Sequence, residues 1–316
     1  MKATYSPILI SVYTRLDHLK QCILSLQNNP LSKESDLFIV SDAAAKENDV
    51  IKVEAVRQYV DKIEGFRSVT AINRSKNLGS VGSIRPAAME ILEKFGKMIF
   101  LEDDNVVAPN FLKFINDGLD FYHSDPAVFS ISGYTYPIKI PKSYQQDIYK
   151  WQGYSAWGVG TWYDRRKSID WNCSGAKELF KDKSKVKDFI GKTGEMTFYH
   201  LDYMLKHNLS WGDAIISYNM FIQDSYSIFP TVSKVRNIGH DGLGEHSGIS
   251  DRFFNQEIDE GADYIFPEKI DSDRDIDREL RKYFKVPLKG KAQKFLSSMI
   301  TPQQKRWLKT LTAKRK

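Results

Sequence analysis

Cysteine is almost absent from this 316-residue sequence: Cys22 and Cys173 are the only two. Neither belongs to a C-x-x-C pair, so a zinc knuckle and a disulfide scaffold are both excluded and reduced thiols are expected. Long apolar runs are missing as well. No stretch approaches the ~18 residues of a membrane span. Residues Met1 to Ser6 lead into a short apolar run without the apolar core and small-residue cleavage site of a secretory signal. The expectation is a cytoplasmic protein. The common glycine signatures are absent too: there is no G-x-G-x-x-G after the first apolar run, no P-loop and no G-x-S-x-G elbow. Acidic residues disappear from the end of the chain. From residue 281 onward there are 12 basic residues and no acid, so a body of net charge −6 precedes a strongly basic tail. The overall +6 therefore describes the tail and does not mark a nucleic-acid-binding face.

What is present reads as alternating strands and helices. Apolar runs at Ile8 to Val12, Leu37 to Val40, Val69 to Ile72, Lys97 to Leu101 and Val128 to Ser132 predict five strands. Between them, Leu16, Leu19, Ile23 and Leu26 fall at helical spacing behind a Thr14-x-x-Asp17 capping pattern, and Asn28-Asn29-Pro30 ends that helix. Further helices are predicted over 48–61 and 81–95, with another opening at Pro109 and one over 195–207. Near-continuous apolar strands alternating with helices predict an α/β fold, a Rossmann-like, mostly parallel sheet covered on both faces. Residues 134–175 change character, with Trp151, Trp157, Trp162 and Trp171 in a short span. They read as packing under an irregular region, or as a pocket floor for a ring-shaped ligand.

The sharpest chemical signal is Glu102-Asp103-Asp104 at the end of the fourth strand. Ligands of open α/β sheets bind beyond the carboxyl ends of the strands. Clustered carboxylates repel one another unless a cation is supplied. Oxygen ligands favour Mg²⁺ or Mn²⁺, which join carboxylates to substrate phosphates. Asp42 and Arg15 follow neighbouring strands and face the same crevice, an acid suited to a base or ribose and an arginine suited to phosphate. The alternating acids of 271–279 carry Ile276 where an EF-hand loop needs glycine, so they read as a solvated helix start.

These residues resemble a known family. The run from Ile99 to Phe111, with Glu102-Asp103-Asp104 at its centre, is similar to the metal-binding segment of GT-A-fold glycosyltransferases. It most resembles the N-acetylglucosaminyltransferase that starts complex N-glycan branching and the related bacterial polysaccharide glycosyltransferases. Arg15, Ser41-Asp42 and Asn77-Leu78-Gly79 match donor-binding positions, and Ser155 to Trp162 resembles the acceptor segment. Trp211-Gly212-Asp213 resembles the family's W-D-D segment, with Gly212 in place of its first Asp. Asn237 to His246 is similar to its late glycine loop. The resemblance covers 7–265. It implies transfer of a sugar from a nucleotide-sugar donor to a glycan acceptor hydroxyl with inversion. It implies a divalent metal, Mn²⁺ or Mg²⁺, at Asp104 and His246, and donor contacts from Arg15, Asp42, Asn77, Gly79, Glu102 and Asp103. Asp213 is implied as the catalytic base.

Residues 1–133 then form the nucleotide-sugar-binding half and 134–280 the acceptor half of one unit, with 281–316 a basic amphipathic tail. A sugar nucleotidyltransferase is the first alternative, but Val12-Tyr13-Thr14-Arg15 lacks the glycines of its triphosphate loop. The second is a non-catalytic carbohydrate- or membrane-binding module, against which the intact acids argue. In the tail, Ala292, Phe295, Leu296, Met299 and Ile300 share one helical face, and Trp307, Leu308 and Leu311 follow among basic residues. Such a helix lies in the headgroup layer of an anionic membrane, or docks on the acidic body. The first of these places the enzyme at the inner leaflet, near a lipid-linked acceptor in surface polysaccharide or lipopolysaccharide synthesis.

Overall fold

The computed structural model describes residues 5–241, 253, 255–261 and 263–287. Eight strands form one sheet: β1 (Ile8–Val12), β2 (Asp36–Ser41), β3 (Ser68–Asn73), β4 (Lys97–Glu102), β6 (Val128–Ser132), β7 (Ile148–Trp151), β8 (Val159–Trp162) and β9 (Tyr226–Pro230). Their order is β3-β2-β1-β4-β8-β6-β9-β7. β1, β2, β3 and β4 are mutually parallel and β6 pairs β9 parallel, while β8 and β7 run against their neighbours. The sheet is therefore mostly parallel. A two-stranded ribbon joins β5 (Asn105–Val107) to β10 (Val235–Asn237), with Asn105 opposite Asn237.

Side chains alternate along each strand, and helices cover both faces. Ile8, Ile10 and Val12 of β1 point into one core with α1 (Leu16–Gln27), α2 (Val50–Val60), α4 (Phe111–Phe121) and α10 (Arg274–Tyr283). Leu9, Met98 and Phe100 point into a second core. That side is covered by α3 (Gly79–Phe95), α6 (Ala176–Leu179), α7 (Lys183–Thr193), α8 (Glu195–Lys206) and α9 (Gly212–Ile222). Double coverage explains why these strands read as unbroken apolar runs. Cys22 and Cys173 are buried and unbonded to each other. No described helix is long and apolar enough to cross a membrane.

Three sequence expectations change. Thr14 does not cap α1: the helix begins at Leu16, Arg15 stands in the capping position, and no side chain caps it. Arg15 is instead held by ion pairs across the crevice. Pro109 lies outside α4, whose capping position is Asn110; the free amide of Leu112 is met by Asn29 Oδ1 at 3.0 Å. Residues 134–175 contain two strands and a short helix, α5 (Tyr163–Lys167), and β8 runs through the middle of the sheet. Trp151 and Trp162 are core residues at 4% and 1% exposure, while Trp157 is only half-buried. The expected flexible loop over 236–248 begins as β10 and then passes outside the described residues.

Candidate active site

β1 and β4 lie side by side, with Ser11 opposite Glu102, so Arg15 and the three acids emerge at the same end of the sheet. There the Arg15 guanidinium spans two carboxylates. Its Nη2 pairs with Asp103 Oδ1 and lies 2.8 Å from Asp104 Oδ2, and its Nε donates to Asp103 Oδ2 at 3.2 Å. Burial lowers the affinity of Arg15 for its proton, but the two carboxylates outweigh it and raise the net value. Asp104 Oδ1 accepts from Asn105 Nδ2 at 3.1 Å and from Asn237 Nδ2 at 2.8 Å. The ribbon of β5 and β10 thus aims the Asp104 carboxylate. Gly239 closes over it: a Cβ there would lie 1.9 Å from Asp104 Oδ2 and 2.8 Å from Arg15 Nη1.

Glu102 accepts from the Trp157 indole Nε1 at 3.1 Å. Burial raises its pKa to about 8, with Asp104, Asp213 and Asp103 adding repulsion. Burial also raises Asp103 to about 6, against the pull of Arg15. Three acids facing one arginine leave an excess of negative charge, which adds to burial, the larger cause of both upward shifts. By charge this cluster suits a further cation. By ligand count it supplies little: the Asp104 oxygens are shared among Arg15, Asn105 and Asn237. Among the described residues no group of three His, Cys, Asp or Glu side chains is arranged around a metal position. His246 lies outside the described residues.

Asp213 sits in the first turn of α9, where Trp211 holds the capping position without a side-chain cap. Asp213 is exposed. Desolvation by the surrounding protein pushes its pKa up, to about 6, while the backbone N–H of Ala156 and the charge of Arg166 pull the other way. Asp213 acts electrostatically on Glu102 and Tyr136, which places it at the same cleft as the acid cluster.

Asp42 and Asn77 form a separate group at the end of β2. The Asp42 carboxylate accepts from the Ala43 amide at 2.9 Å and from the Leu78 amide at 3.0 and 3.1 Å. Asn77 Nδ2 donates to the Ala43 carbonyl at 2.7 Å. These bonds fold the loop entering α3, and Gly79 begins that helix at φ +71 with open space around it. The sequence reading omitted Asn105, Trp157, Asn237 and Gly239 as site residues. Asn105 is marked in the sequence only as the polar residue after the acids, and Asn237 and Gly239 only as the start of the late glycine loop; nothing in the sequence marks the bond from Trp157 to Glu102.

No protein-family model matches the chain, and no curated protein matches it. Several solved structures overlap it in part. S. aureus TarS residues 1–349 align at 13% identity and TM-score 0.42, over 81% of this chain and 67% of that one. A mannosyltransferase from Pyrobaculum calidifontis, solved with GDP-Man and Mn²⁺, aligns at 13% and TM-score 0.36, over 51% and 46%. The galactosyltransferase LgtC, solved with donor and acceptor sugar analogs, aligns at 13% and TM-score 0.37, over 68% and 70%. The aligned part spans 28% of a longer TarS chain.

Proposed function

We propose that this chain is a nucleotide-sugar-dependent glycosyltransferase that inverts the anomeric carbon. One observation supports the reading above the rest: a buried acid cluster at the end of β4 shares a cleft with Asp213, an acid raised to about 6. Inversion needs one base within hydrogen-bond reach of the attacking hydroxyl, with a pKa near the working pH. Asp213 has the environment of such a base. Arg15 binds the diphosphate of the donor, and Glu102 and Asp103 orient its ribose and sugar. Asp42, Asn77 and Gly79 shape the loop that receives the base. Asp104, with His246, would hold Mn²⁺ or Mg²⁺, which when bound supplies positive charge for the leaving diphosphate. The acceptor is a glycan, in the fuller reading one carried on a lipid at the inner leaflet, with the basic tail on the membrane surface. The resemblance to bacterial polysaccharide enzymes suggests surface polysaccharide or lipopolysaccharide synthesis.

The test is ligand-dependent stabilisation. A ligand that binds only the folded state raises the melting temperature. Uridine and guanosine diphosphates with Mn²⁺ should do so for the wild-type chain, and Asp104→Ala should abolish the metal-dependent part without unfolding the protein. Equal stabilisation of wild type and Asp104→Ala by nucleotide plus Mn²⁺ would remove Asp104 from the metal site.

A further inference from the structure

Both oxygens of the Asp104 carboxylate are engaged by the protein itself. Oδ1 accepts from Asn105 Nδ2 at 3.1 Å and from Asn237 Nδ2 at 2.8 Å, which uses both of its lone pairs. Oδ2 faces Arg15 Nη2 at 2.8 Å. The main chain of Gly239 lies against the same oxygen, since a Cβ there would fall 1.9 Å from it. Gly239 is itself pinned, its amide donating to Asn237 Oδ1 at 2.9 Å. A cation therefore reaches Asp104 only at Oδ2, and it meets Arg15 there.

Mg²⁺ bonds a carboxylate oxygen at about 2.1 Å. With Nη2 2.8 Å from Oδ2, an ion on that oxygen stands at most about 5 Å from the guanidinium nitrogen. A single and a double positive charge at that separation, beside side chains as buried as those of Asp103 and Asp104, repel strongly. Arg15 and a divalent ion are thus alternatives at Oδ2. The two aspartates hold Arg15 unequally. Asp103 is bonded by both Nε and Nη2, whereas Asp104 meets Nη2 alone. The contact with Asp104 is the one that yields while Asp103 keeps its grip.

Exposure supplies the trigger. The Arg15 side chain keeps 20% of its surface open, against 5% and 7% for Asp103 and Asp104. An oxyanion entering the cleft meets the arginine before it meets the acids, and a guanidinium pairs with phosphate as well as with carboxylate. We propose that Arg15 gates the metal: it blocks Asp104 Oδ2 until a diphosphate draws its guanidinium away, so that nucleoside diphosphate and divalent ion bind as a coupled pair. The phosphates then supply the oxygen ligands that the described side chains lack, as Mg²⁺ commonly takes only one or two carboxylates. The coupling to a nucleotide rests on the glycosyl-transfer reading; the competition between Arg15 and a cation does not.

Calorimetry with Mn²⁺ on the full chain tests this. Without nucleotide, Arg15→Gln should bind Mn²⁺ about tenfold tighter than wild type, within the usual range of coupled sites. Adding Asp104→Ala to Arg15→Gln should remove that gain. In wild type, saturating uridine or guanosine diphosphate should tighten Mn²⁺ binding by a similar factor, after correction for metal held by free nucleotide, and Mn²⁺ should tighten the nucleotide equally. Equal Mn²⁺ affinity in wild type and Arg15→Gln, or a gain that survives Asp104→Ala, overturns the gate. If Arg15→Gln fails to fold, wild type decides: Mn²⁺ held as tightly without nucleotide as with it overturns the gate as well. A gain in Arg15→Gln from a chain that binds neither nucleotide overturns the coupling together with the transfer reading, and leaves the competition standing.

Discussion

The environment of Asp213 fixes a pH dependence that an ordinary aspartate would not give. With its pKa near 6, about nine-tenths of the carboxylate is ionised at pH 7 and about one-tenth at pH 5. A rate that needs the ionised base should therefore fall about tenfold between those values. At the ordinary value of 3.8, the same interval would leave the rate nearly unchanged. Asp213→Asn should lower turnover by roughly 10²–10⁴-fold, the usual loss for a general base, while leaving nucleoside diphosphate affinity near wild type. The same shift has a consequence for stability. A carboxyl whose folded pKa is raised contributes stability that is full below its unfolded pKa and is lost as pH rises through about 6. Asp213→Asn should thus melt above wild type at pH 8 and close to it at pH 4. Because Arg166 holds the Asp213 value down, Arg166→Gln should move the acid limb of kcat/KM to higher pH. The assay is transfer, or slow donor hydrolysis, measured from pH 4.5 to 8.5. A flat profile between pH 5 and 7, or an active Asp213→Asn enzyme, would refute the assignment of the base.

Other substitutions probe the scaffold around the site. Gly239→Ala puts a methyl against Asp104 and Arg15; nucleoside diphosphate binding should be lost while circular dichroism stays native. Lys234→Met removes the 2.7 Å ion pair of buried Asp259, and loss of one member of such a pair costs about 3–5 kcal/mol. Urea denaturation should show that loss, and a drop under about 1 kcal/mol would mean that the remaining bonds of Asp259, among them those from the Gly261 amide at 2.6 Å and Asn110 Nδ2 at 3.4 Å, hold its charge without Lys234. Truncation after Val286 should release the protein from vesicles of anionic lipid at low salt without abolishing transfer to a soluble acceptor. Full-length protein that ignores such vesicles would leave the tail without a membrane role.

The parts of the fold that the sequence made legible share a physical cause. Strands β1, β2, β4 and β6 are covered on both faces, so each had to be an apolar run, and the helices between them carry one apolar side. β8 escaped because Val159–Trp162 is only four residues with glycine at its second position. Gly160 is there because a Cβ would lie 2.5 Å from Ile115. Close packing across the centre of the sheet thus erased the apolar pattern that would have announced the strand. The acids were legible for the opposite reason: three carboxylates in sequence are unfavourable in any core and need a cation to explain them. Their supports were not legible, since Trp157 and Asn237 reach Glu102 and Asp104 across 55 and 133 residues of chain. The unmet donors of Arg166 were equally hidden, because sequence distinguishes Arg165 from Arg166 by position alone. Only the fold reveals that Arg165 finds three carbonyls and Asp164, while Nε and Nη1 of Arg166 are buried with no hydrogen-bond partner among the described residues. Repulsion written along the chain can be read from it, whereas a missing hydrogen-bond partner exists only in three dimensions.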